Sequence, residues 1–179
     1  WTGNCGRSSE PTPEDFAKSL PPTVLVGAAK INALDIQNAV DKRMAMSQIE
    51  LMDPLSEVQS SFQALNELID RAALLEFAAK EGISLTDAGI IETYKRRMKL
   101  SREFMRQQLI DQKKIKPEAT EAEFIAAAKK EGNDIEAQEK QLFEQIELAL
   151  KDPEKRPEVA EDAAQIALQE KYSAKTKVS

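Results

Sequence analysis

The sequence predicts a mostly α-helical fold, in which several helices pack around one long central helix and a short pair of strands plays a minor part. Three observations lead there. Aromatic residues make up 5% of the chain, while Ala, Leu, Ile, Glu, Lys and Gln dominate, which favours helix on helix over a sheet. Apolar residues recur three or four apart in one stretch after another. With Gly89 as the exception, Gly and Pro fall between those stretches and not inside them. At 179 residues the chain fits one domain with a tail. The expected layout is a leader over 1–22 and a single helical domain over 23–179. That domain comprises an N-terminal core at 23–115, then C-terminal helices and a closing strand at 116–179.

Residues 1–22 are rich in Pro, Ser, Gly and charge, the composition of a flexible leader, with Phe16 and Leu20 available to dock. The chain starts at Trp1 without an initiator Met, which implies processing upstream. Thr23 to Val26 is a short β-prone run, and Gly27-Ala28 offers a turn before Lys30-Ile31. Asn32 reads as an N-cap with Asp35 in the first turn, opening a helix with Ile36, Val40 and Met44 inward and ending near Met52.

The stretch Pro54 to Glu81 is the expected centre of the fold. Leu55, Val58, Phe62, Leu65, Leu68, Ile69, Ala72, Leu75 and Ala79 recur at helical spacing with no Gly or Pro between them. Leu74, Phe77 and Ala78 then widen the stripe until most of the circumference needs cover. Asp53 with Pro54 marks the start and Gly82 the stop. On this reading Leu75→Ala costs about 2 to 5 kcal/mol. The weak heptad character of the helix allows a coiled-coil homodimer but spans too few heptads to force one.

Further along, Thr86 with Asp87 opens a third helix carrying Ile90, Ile91, Tyr94 and Met98, with Gly89 a local weakness. Ser101 is expected to cap a fourth, Arg102 to Ile115, ended by Pro117. Thr120 with Glu123 forms a capping box for a fifth, closed by Gly132. A sixth runs from Asp134 to Lys151, where Asp152-Pro153 breaks it. A last helix runs from Glu158 to Ala174.

Much chemistry is excluded. Histidine is absent, which removes the usual general base, the Ser/His and Cys/His nucleophile pairs and most zinc sites. No GxxxxGK[ST] or GxGxxG occurs. The carboxylate pairs Glu144/Glu147 and Glu158/Asp162 lie on acidic, solvated helices with nothing to shift a pKa. No enzyme, cofactor or metal is expected. The lone Cys5 has no internal disulfide partner, and no run of eighteen apolar residues exists.

The net charge of -6 hides an asymmetry. Lys95 to Lys116 holds nine basic and two acidic residues, a local charge of +7, whereas Glu121 to Glu170 holds fourteen acidic and six basic, giving -8. Two readings stay open: a basic rim from Arg96 to Arg106 that steers acidic partners, or a clasp that holds the acidic C-terminal helices. No aromatic RNA-binding motif or zinc-finger spacing points to nucleic acid.

The order of parts between Thr23 and Ile115 resembles a family. VLVGAAKINALDIQNAV is similar to the opening of SurA-like periplasmic chaperones, with Gly27-Ala28 where Asn-Gly is usual. LNELIDRAALLEFAAKEGISLTDAGI resembles their long central helix and the cap after it, here Leu85, Thr86, Asp87 and Ile90, and LSREFMRQQLIDQKKI resembles the next helix. The resemblance covers about half the chain. It implies a SurA N-terminal-like, trigger-factor-C-like chaperone domain in the periplasm or cell envelope, with Lys175 to Val178 pairing with Thr23 to Val26. Relatives commonly carry a Gly-rich, His-bearing prolyl isomerase module; the acidic, helical stretch from Glu121 to Glu170 stands in its place, so isomerase activity is not expected. Cys5-Gly6 before RSSEPTPED resembles a lipoprotein start, which makes Cys5 a candidate lipid anchor, although Asn4 precedes it where a small residue is usual. An unmodified cysteine in a tail is the alternative.

The function this implies is ATP-independent binding of unfolded or nascent envelope proteins and peptides through an apolar helical cradle. Methionine suits such a surface because its flexible thioether repacks against varied partners. The candidate peptide-binding residues are Met44, Met46, Met52, Met98, Phe104 and Met105; as core residues each has an ordinary alternative role. A different class of function is an envelope lipoprotein that acts as an adaptor for one fixed partner.

Overall fold

The structure, a computed structural model, describes residues 23–47 and 54–176. Among them are a two-stranded antiparallel hairpin, β1 (Val24–Val26) and β2 (Ala29–Ile31), and six helices. The helices are α1 (Ala33–Ser47), α2 (Pro54–Lys80), α3 (Asp87–Asp111), α4 (Glu121–Lys130), α5 (Ile135–Lys151) and α6 (Arg156–Thr176). The chain divides into two compact units between Glu76 and Phe77, within α2 and not near residue 115.

In the N-terminal unit the strands pair Val24 with Ile31, Leu25 with Lys30 and Val26 with Ala29. Gly27 takes the first turn position with φ of +56°, the conformation a tight hairpin turn requires and a side chain resists. It also sits under the Glu76 carboxylate of α2, which occupies the space any β-carbon would need. Asn32 caps α1 as expected. Its Oδ1 accepts from the Leu34 and Asp35 amides at 2.9 and 3.1 Å, and Asp35 Oδ2 accepts from the Asn32 amide at 2.8 Å, a reciprocal box. Ile31, Val40 and Ala64 are buried. Val58 and Phe62, on the stripe expected to form the core, are 65% and 63% exposed, and Leu75 is half-buried. The expectation that α2 is the core of the fold is thereby corrected. Its stripe is wider than the hairpin and α1 can cover, so its apolar residues sit on more than one side of the helix.

The C-terminal unit carries most of the buried side chains, and α3 is its hub, packing against α4, α5 and α6. The third and fourth expected helices are one: α3 runs through Ser101 to Asp111, because a serine without Gly or Pro beside it does not interrupt a helix. It ends on Lys113, in the left-handed region at φ of 57°. The Lys114 amide reaches back to Leu109 O at 2.9 Å and the Lys113 amide to Ile110 O at 2.8 Å. The same closure follows α2 at Gly82 and α4 at Gly132, where glycine takes that conformation freely. Gly89 is not a weakness to be tolerated. A β-carbon there would lie 2.4 Å from the backbone oxygen of Ser84, so glycine is what lets the preceding loop lie on the first turn of α3.

Helix α6 lies along α3 and α5. Its covered side is Ala160, Ala163, Ala164, Ala167 and Leu168, and the four alanines are small enough to let backbones approach closely. Arg156 meets Asp87 at 2.9 Å, Tyr94 donates to Asp162 at 2.5 Å and Arg96 reaches Glu170 at 3.5 Å, so the two helices meet in the same order along their lengths. Burial, with the Asp162 hydrogen bond second, pushes the Tyr94 hydroxyl well above its ordinary range. At the far end of α6, Tyr172 stacks on Phe77 with ring centroids 6.3 Å apart, and Lys171 holds the Glu81 carbonyl and carboxylate, each at 2.7 Å. Of the expected closing strand Lys175 to Val178, the last two residues lie outside the described residues. Lys175 and Thr176 continue α6, since no breaker follows Ala174, and β1 takes β2 as its partner.

Candidate functional site

Between α3 and α4 the chain builds an open groove of about 800 Å³. The left-handed Lys113 turns the chain out of α3 early, and residues 114–119 then run back alongside α4 from Lys114, paired with Glu131 at 2.5 Å, to the cap Thr120. The capping box is complete: Thr120 Oγ1 accepts from the Glu123 amide at 3.3 Å, and Glu123 Oε2 accepts from the Thr120 amide at 2.7 Å. That backbone bond, then the hydroxyl, holds the Glu123 carboxyl below its ordinary range. Ile115, Ala119, Ala126 and Ala127 form the apolar part of its lining, and Lys114, Lys116 and Lys130 face Glu118, Glu123 and Glu131 in the charged part. Beneath lies a small core of Leu109, Phe124, Ala128 and Ile135.

Part of the basic strip of α3 is turned toward its own chain, through Arg96, Arg102 and Arg106, while Lys95, Arg97 and Lys99 are exposed. Arg102 donates through Nε and Nη2 to the two oxygens of Glu139, each at 2.5 Å, and through Nη1 to Glu121 at 3.0 Å. The Glu139 hydrogen bonds are the main reason its guanidinium titrates above the usual range. Arg106 donates to Ala119 O at 2.8 Å, pairs with Glu121 and lies 4.9 Å above the Phe124 ring, a cation–π contact. Arg96 makes the weakest tie: Glu170 accepts from it through one oxygen, while the other, Oε1, is enclosed without a hydrogen-bond partner. These three arginines make the contacts of the clasp reading, and the exposed Lys95, Arg97 and Lys99 are the part of the strip that faces solvent.

The sequence-derived binding residues are dispersed. Met44 lies half-buried on α1 in the N-terminal unit. On α3, Met98 and Met105 are half-buried, with Met105 packed against the Leu109–Phe124 core, while its neighbour Phe104 is 65% exposed. None of these four lines the groove. Met46 lies on α1, and Met52 and the candidate lipid anchor Cys5 fall outside the described residues. Leu100, one turn before Phe104, is 48% exposed, and Leu148 on α5 is exposed as well.

Alanines and lysines around a turn carry no periodic signal, so the groove is not legible in the sequence. The helix expected to run to Ile115 ends at Asp111, and that early end is what frees residues 114–119 to line the groove. Among the described residues no cluster of three or more His, Cys, Asp or Glu is placed to hold a metal ion, and no helix is long and apolar enough to cross a membrane. In comparison with known proteins, no family model, no curated protein and no solved structure matches the chain.

Proposed function

We propose that this protein binds unfolded or partly folded proteins of the cell envelope through exposed apolar helix faces, as an ATP-independent chaperone-like module without enzymatic activity. The observation that carries the reading is Leu100 with Phe104. They are one turn apart on the same side of α3, and both are substantially exposed on a helix whose other side is the hub of the C-terminal unit. Single exposed apolar residues are ordinary; two at i and i+4 bring apolar surface together on one side of a helix, where a client's apolar side chains can cover both. Val58 and Phe62 repeat the same spacing on α2. The resemblance of residues 23–115 to SurA-like chaperones supplies the client class and the compartment. The clasp role of Arg96, Arg102 and Arg106 favours apolar capture over electrostatic steering.

Light scattering of an aggregating client tests this. Severalfold excess of the protein is expected to suppress aggregation, and Leu100→Ser with Phe104→Ser to remove at least half of that effect without lowering the melting temperature. Absence of suppression by the unaltered protein would end the reading.

A further inference from the structure

We infer that the exposed stripe of α3 around Leu100 and Phe104 docks on the same stripe of a second copy of this chain, the two helices running antiparallel, so that the protein covers its own client surface when no client is present. The inference rests on the reading of Leu100 and Phe104 as a client contact and adds how that contact is regulated. Arg97, Leu100, Phe104, Gln107 and Asp111 recur three or four apart and are all exposed, so they share one side of the helix. Helix α6 meets α3 as far as Arg96, where Glu170 pairs with it. Beyond that point α4 and α5 take the opposite side, through Arg102, Met105 and Leu109.

The order of charge along the stripe selects the occupant. Arg97 stands at its N-terminal end, the apolar pair in the middle, and Asp111, which accepts from the Gln107 amide at 2.9 Å, at its C-terminal end. On one flank Lys99 precedes Glu103 by a turn, and both are exposed. Arg97, Lys99 and Glu103 have no partner among the described residues. Basic, then apolar, then acidic is an order that complements itself when reversed, which is what a twofold interface requires. With the twofold midway between Leu100 and Phe104, each Leu100 lies level with Phe104 of the other copy, and each flank faces the same flank. At a rise of about 1.5 Å per residue, Lys99 then comes within about 3 Å along the axis of the other copy's Glu103, and Arg97 within about 6 Å of its Asp111. Side chains of that length span both gaps. A parallel pair instead sets Arg97 against Arg97 and Glu103 against Glu103, and a partner of one charge sign meets like charge at one end of the stripe. The contact is about 20 Å long and one helix wide, below the roughly 1,200 Å² of a standard interface. Such a dimer dissociates at about 10 to 100 µM and gives way to a client.

Sedimentation velocity of the whole chain between about 1 and 300 µM tests this. The unaltered protein is expected to pass from monomer to dimer in that range. Arg97→Glu with Lys99→Glu leaves the apolar pair in place and weakens the dimer at least tenfold. Adding Glu103→Lys and Asp111→Lys to that variant restores opposite charges across the twofold and returns the dissociation constant to within about threefold. A chain that stays monomeric throughout, a dimer indifferent to the two-charge variant, or a four-charge variant as weak as the two-charge one overturns the inference. The client-aggregation assay on the same samples separates the two proposals. Suppression by a chain that never dimerises removes the inference and leaves the client reading standing, whereas a charge-sensitive dimer without suppression ends the client reading and leaves the α3 pairing. Where both occur, the two-charge variant is expected to suppress more per molecule than the unaltered protein at concentrations where the latter is dimeric; equal suppression there would overturn the covering role.

Discussion

Helices α2 and α3 are nearly the same length, 27 and 25 residues, and both carry apolar residues at helical spacing, yet they end in opposite situations. Helix α3 has three helices packed on it and buries Ile90, Tyr94 and Leu109. Within the N-terminal unit α2 buries only Ala64 among its described side chains and leaves Val58 and Phe62 exposed. What separates them is the cover available. Hydrophobic stabilisation scales with the area removed from water, so a stripe without a partner contributes little to stability and is instead surface on offer.

The sharpest way to break this comparison is a matched pair of truncations. Phe124→Ala, at a site with no exposed surface and beneath the Arg106 guanidinium, is expected to cost about 3 to 5 kcal/mol. Phe62→Ala should cost less than about 1 kcal/mol, a difference that urea melts resolve. If Phe62 proved the more costly of the two, the assignment of the core to the C-terminal unit would be wrong.

Next in size is Gly89→Ala. Helix propensity alone predicts a gain of about 1 kcal/mol. The contact with Ser84 predicts a loss of about 1 to 3 kcal/mol instead, because a backbone oxygen and not a flexible side-chain tip stands in the way. The sign of the change in thermal denaturation decides.

Smallest is the clasp. Glu139→Ala removes both partners of Arg102 Nε and Nη2 and is expected to lower stability by about 1 to 2 kcal/mol. The pair is partly exposed and so partly screened, and raising salt should lower the stability of the unaltered protein and narrow its gap to this variant. Client suppression should change little with salt. A steep loss of suppression at unchanged stability would return the arginines to a steering role.

How far the sequence could be read follows from which forces are local. Asn32, Thr120 with Glu123, Asp134, Gly82, Gly132 and Asp152-Pro153 each mark a helix end through bonds made within a few residues, and those ends fall where expected. Ser101 misled because a good capping residue is also harmless inside a helix. Lys113 gave no warning, since a non-glycine residue in the left-handed region is held there by the closure around it and not by its own preference. Periodicity identified the apolar residues of α2 but not their cover, because cover is a property of distant segments. The same limit applies to the candidate site. Phe104 was legible as an apolar residue, its exposure and the neighbouring groove were not, and adjacent Met105 turned out to pack on a core.

Native-state hydrogen exchange tests the contrast between the two helices most directly, because it reads the opening of each backbone segment separately. Amides of α3 around Ile90 to Tyr94 and of α6 around Ala163 to Leu168 are expected to exchange last, about a hundredfold more slowly than those of α2 around Val58 to Phe62. Slowest exchange in α2, with α3 and α6 opening first, would contradict the account and make α2 the core after all.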